Sequence, residues 1–155
     1  MNELSKTFSE LFECYSKQFK FEIHTGSSRA EFMKSVSTQT RGVYSVWLRD
    51  SDRPIYIGCA GKISKKGELT GNTIKTRMFQ ANTPYHFSKT SDDYFFGPTT
   101  ATVPPKGYDS AYPIKDLIIK LIIITNNTAP AALEHILLQG FANEYASLPQ
   151  ANQKL

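Results

Sequence analysis

Apolar residues recur along the chain at periods that mark out its elements. Leu4, Phe8, Leu11, Phe12, Tyr15 and Phe19 fall at i, i+4, i+7, i+8, i+11 and i+15, one stripe on a helix over residues 3–20. Its polar face sets Lys6 four residues before Glu10 and Glu13 four before Lys17, opposite charges at helical spacing. Such a stripe serves packing onto the chain's own core more often than dimerisation. Thr25-Gly26-Ser27 breaks the pattern, and Ser28 with Glu31 fits a capping box opening a second short helix through Met33. Residues 1–40 are read as an N-terminal helical extension, and 41–155 as a single compact domain.

From Gly42 the stripe gives way to short apolar runs separated by a polar turn. Val43 to Leu48, a polar turn over 49–54, and Ile55-Tyr56-Ile57 predict a β-hairpin. Residues 62–72, rich in lysine and glycine, predict a mobile loop, after which Asn72 or Thr73 caps a helix carrying Ile74, Arg77 and Met78. Prolines and glycines make 82–113 mostly loop, with Tyr94-Phe95-Phe96 as a short strand. Asp116 to Thr125, nearly all apolar and isoleucine-rich, predicts a strand covered on both faces at the centre of a sheet. Asn126, Asn127 and Thr128 offer caps for a helix over Ala131 to Tyr145, whose Leu133, Ile136, Leu137 and Phe141 repeat at i, i+3, i+4 and i+8, and Pro149 closes it. The predicted class is α+β, a small three-stranded mixed or antiparallel sheet flanked by helices.

Composition narrows the function. With 155 residues and 40% hydrophobic content the chain has material for one core. It shows neither an 18-residue apolar run nor a secretory leader, so a soluble protein of the cytoplasm, with no membrane partner, is expected. Cys14 and Cys59 lie outside any C-x-x-C pattern, and His24, His86 and His135 are scattered, which argues against a disulfide framework and a zinc site. There is no phosphate-binding G-x-x-x-x-G-K-[ST] loop. The formal charge of +4 favours polyanionic partners without singling one out.

Gly42-Val43-Tyr44 and Tyr56-Ile57-Gly58 stand on the two hairpin strands with eleven residues between the tyrosines. An arginine follows on the next helix (Arg77), a glutamate on the last (Glu134), and Asn152 ends a Pro149-Gln150-Ala151-Asn152 run. In this order and spacing the chain resembles the GIY-YIG nuclease family from Gly42 to Asn152, and its long interval from Gly58 to Arg77 resembles the inserted loop of the family's restriction-enzyme branch. It departs from the family in having Cys59 where a lysine often follows YIG, Ala81 where a histidine often lies, and a long interval from Gly58 to Arg77.

The resemblance implies a DNA endonuclease using one Mg²⁺ or Mn²⁺. Tyr44 or Tyr56 would orient and deprotonate a water, with a nearby cation lowering the phenol's pKa, because an ordinary value near ~10 makes a poor base. Arg77 would hold a non-bridging oxygen, Glu134 the metal, and Asn152 would support the site. Lys62, Lys65 or Lys66 would add charge at that phosphate from the loop, and His86 would reach the site as a further substrate contact. Singly, the tyrosines are ordinary strand aromatics, Arg77 and the lysines solvated charge, and Asn152 a turn cap. Glu134 is more telling, since it lines up with Leu138, Phe141 and Tyr145 on an apolar helix face, where a carboxylate is costly unless used. The rival readings are a catalytically silent nucleic-acid-binding module and a structure-selective repair nickase. Cutting both strands would require a homodimer or successive nicks. On one register the phenols can cooperate: a turn centred on Ser51 pairs Val46 with Tyr56 and sets Tyr44 two residues along on the same face, whereas a slip by one separates them.

Overall fold

The computed structural model describes residues 5–80, 87, 93–95 and 112–152. The first helix, α1 (Phe8–Gln18), is shorter than its stripe, because Thr7 and Glu10 close a capping box at its start and Phe19 turns extended at its end. The next segment departs from the helical extension expected there. Lys20–Thr25 is a strand, β1, so the first forty residues are not wholly helical. Ser28 caps α2 (Arg29–Ser35) as expected, its hydroxyl accepting from the Glu31 N–H.

Strands β2 (Gly42–Leu48) and β3 (Pro54–Ala60) form the hairpin. The 62–72 segment, expected as loop alone, carries a small hairpin of β4 (Lys62–Ile63) and β5 (Leu69–Thr70). Ile74 and Lys75 begin a helical turn that widens into a π-helical turn, Thr76–Gln80. Thr73 caps it through the Thr76 N–H. Short strands β6 (Tyr94–Phe95) and β7 (Tyr112–Pro113) pair with each other, while Phe96 lies outside the described residues. Then come β8 (Leu117–Ile123) and α3 (Pro130–Tyr145). Asn126, Asn127 and Thr128 do not cap α3; Ala129 stands at its N-cap with no side-chain bond, and Pro130 starts the helix, its missing N–H costing nothing there.

The main sheet has four strands, not three, in the order β1-β8-β2-β3, with every neighbour antiparallel. Isoleucine-rich β8 is interior, as its unbroken apolarity required. One face of the sheet packs Tyr44, Val46, Tyr56, Ile119 and Leu121 against Phe32 of α2 and against Ile74, Met78 and Phe79 of the Arg77 turn. The other packs Val43, Trp47, Ile57 and Ile122 against Phe8 and Leu11 of α1 and Leu133, Leu137 and Phe141 of α3. Gly140 lets α1 and α3 approach, since a Cβ there would stand 2.6 Å from Leu11 Cδ1. Ser45, buried in β2, bonds the Lys120 carbonyl and accepts from Trp47 Nε1, so its hydroxyl is satisfied. Among the described residues, no helix is long and apolar enough to cross a membrane.

Candidate active site

The register decides whether the tyrosines meet. Val46 pairs with Tyr56 and Tyr44 with Gly58, the even-sum register, and a bulge after Val46 carries the chain into the turn. Tyr44 and Tyr56 share a face, ring centroids 6.1 Å apart and planes 30° from parallel. The Tyr44 ring lies across Gly58, where a Cβ would come within 2.6 Å of its Cζ and hydroxyl oxygen. The glycine of the YIG triplet is therefore the space that the other triplet's tyrosine occupies.

Tyr44, Tyr56, Arg77, Glu134 and Asn152 line one cleft of about 340 Å³, together with Gly58 and Cys59. It wraps the rim of the sheet, for β3 is an edge strand. Arg77 arrives from one side of the sheet and Glu134 from the other. Buried Ile74, Met78 and Phe79 root the Arg77 turn in the core, and Arg29 ties down its far end by donating to the Phe79 and Phe87 carbonyls. Arg77 itself is exposed. On α3, Leu133 and Leu137 face the sheet and Glu134, one position round the helix, is half-buried at the border. Asn152 accepts from the Ile57 N–H at 3.0 Å and donates to the Ile57 carbonyl at 2.9 Å. That pair copies the bonds a neighbouring strand would make, and it closes part of β3's open edge.

The electrostatics reverse one expectation. Both phenols are raised, not lowered. Burial pushes Tyr44 well above the ordinary phenol value, with Tyr56 adding to it. Burial and then the Glu134 charge push Tyr56 up to about 12. Arg77 pulls both down, as does the Tyr44 hydrogen bond on Tyr56, and the burial wins. Cys59, a departure at the sequence level, has a part here: burial first, and then the neighbouring Glu134 carboxylate, push its thiol up to about 12.

Of the other predicted contacts, Lys62 lines an adjoining cleft. Lys65 and Lys66 stand exposed in the turn of the β4–β5 hairpin and line neither of these two clefts. His86 and Ala81 lie outside the described residues. Among the described residues no three His, Cys, Asp or Glu side chains converge on a metal position. Among the described residues lining the cleft, Glu134 is the one carboxylate, and a single carboxylate is what a largely hydrated Mg²⁺ or Mn²⁺ sharing its shell with phosphate would use. Comparison with protein-family models, with curated proteins and with solved structures gives no match.

Proposed function

We propose that the chain is a divalent-metal-dependent DNA endonuclease of the GIY-YIG type, hydrolysing phosphodiester bonds in the cleft around β3. One observation carries this reading: a guanidinium, a carboxylate and two phenols, four groups separated by up to ninety positions in the chain (44 to 134), line a single cleft. Hydrolysis needs a held phosphate, an oriented water and relief of charge on the leaving 3′ oxygen. Arg77, exposed and forked, suits two oxygens of a phosphate. Tyr56 suits the water, since its hydroxyl lies at the cleft wall and takes a hydrogen bond from Tyr44 that favours its ionised form. A divalent ion at Glu134 would supply positive charge on the leaving-group side. Glu134 lines the cleft beside Cys59, and its carboxylate, with four lone-pair positions, has capacity for an ion.

A binding module that performs no chemistry is the second reading, and the raised phenols favour it, because neutral tyrosines hydrogen-bond and stack without acting as bases. Supercoiled plasmid incubated with Mg²⁺ or Mn²⁺, with EDTA, and with Glu134→Ala separates the two. Metal-dependent nicking that the variant loses by a hundredfold or more, about 3 kcal/mol of transition-state stabilisation, is the expected result. Binding without cleavage would leave the module. Cleavage confined to branched or damaged DNA would turn the proposal from a restriction-type enzyme to a repair nickase.

A further inference from the structure

Cys59 and Arg77 belong to two hollows at once. On the side away from Glu134 they border a second cleft of about 350 Å³, completed by Ala60, Gly61, Lys62, Gly71 and Asn72. Its floor is backbone. Gly61 and Gly71 have φ of +109° and +85°, and a Cβ on Gly71 would stand 3.1 Å from Lys62 Cγ. Arg41 fixes that floor by donating from Nε and Nη2 to the Gly71 carbonyl at 3.0 and 2.9 Å. No carboxylate lines the cleft, and among the described residues neither Lys62 nor Arg77 makes an ion pair. Two unneutralised cations over a glycine floor are what an anion meets there.

The opposite end differs. Beyond Leu148 the groove continues past Ser51, Arg53 and Gln150. Its cation, Arg53, is already used: it lies 4.0 Å over the Tyr145 ring and 3.6 Å from Asp52, with the Glu144 charge also within its reach. The groove along β3 is therefore basic on one side of the Tyr56–Glu134 cleft and compensated on the other.

We infer that the Cys59–Asn72 cleft binds the phosphodiester next to the one under attack, with Lys62 as its cation and Arg77 shared between the two phosphates, so that the substrate strand is gripped on one flank only. This rests on the phosphodiester reading of the central cleft. It also moves Lys62 from the attacked phosphate to its neighbour.

Fluorescein-labelled thymidine dinucleotide and tetranucleotide, one with a single phosphodiester and one with three, test it by anisotropy in EDTA. In the wild type the longer probe binds more tightly. Lys62→Ala should remove most of that increment and cut the affinity lost between about 50 and 200 mM salt by about threefold, one contact's worth. Arg77→Ala should weaken both probes, and Arg53→Ala should match the wild type. The inference is overturned if Lys62→Ala weakens both lengths by the same factor, which would return Lys62 to the attacked phosphate, if Arg53→Ala has the same effect, or if Lys62→Ala changes nothing. Because no metal is present, the increment is read independently of catalysis: intact plasmid with Mg²⁺ and Mn²⁺ would defeat the nuclease reading, and the probe comparison would still decide the phosphate site.

Discussion

Tyr44 and Tyr56 are held neutral by the burial that positions them. With Tyr56 at about 12, the fraction ionised at neutral pH is about one in a hundred thousand, and it grows tenfold with each pH unit. If Tyr56 in that state takes the proton, kcat/KM for cleavage should climb about tenfold per unit from pH ~6 to ~9 with no plateau, since this ratio reports the free enzyme. A profile flat above neutrality would assign the base elsewhere. Gly58 permits a different check. Its missing Cβ is where the Tyr44 ring lies, and a ring buried on the packed face of the sheet cannot swing aside as a surface side chain can. Gly58→Ala should cost about 2 kcal/mol in urea unfolding, and Tyr44→Phe/Gly58→Ala should recover little, because the ring and not the hydroxyl alone is in the way.

Single elements differ in how far the sequence makes them legible. The β2–β3 register follows from requiring two tyrosines to share a face, and the structure has it, down to Val46 opposite Tyr56. The buried character of β8 is plain in its unbroken isoleucines. Strand β1 does carry a period-two signal, with Phe19, Phe21 and Ile23 alternating with Lys20, Glu22 and His24, but Phe19 also ends the helical stripe and Ile23 stands 58% exposed, as an edge strand allows, so the alternation merges with the helix before it. The proposed roles of Tyr44, Tyr56, Arg77, Glu134 and Asn152 are carried by spacing. Cys59 reads only as a departure, because its place beside Glu134 brings together residues seventy-five positions apart (59 to 134) and leaves no local pattern. The direction of the phenol shifts escapes the sequence for a related reason: charge can be counted along a chain, whereas desolvation depends on what folds over the group. At this scale Asn152 acts as a one-residue strand. Asn152→Ala would leave the Ile57 N–H and carbonyl unmatched at a half-covered edge and should cost about 1–3 kcal/mol. Asn152→Asp, which keeps the acceptor and loses the donor, should fall between that variant and the wild type, as followed by hydrogen exchange at Ile57.

For the whole molecule, the first twenty-five residues matter more than an appendage would. β1 pairs with β8 over six residues, from Lys20 opposite Ile123 to Thr25 opposite Ile118. α1 lies on α3, with Phe8 5.6 Å from Phe141, and the Ser9 N–H and hydroxyl both donate to Glu144 at 2.9 Å. A chain beginning at residue 26 would expose one edge of β8 and the apolar side of α3. It should fail to give a cooperative urea transition where the full chain gives one.

The rim position of the cleft has a consequence of its own. Arg77 is anchored in the packing above the sheet and Glu134 in the packing below it, so the gap between guanidinium and carboxylate is a caliper closed across three stacked layers. A methyl group deleted deep in either layer, nowhere near a phosphate, would open or tilt its jaws. Mutational sensitivity of the chemistry should then map onto two separate interiors and not onto a ring of residues around the cleft.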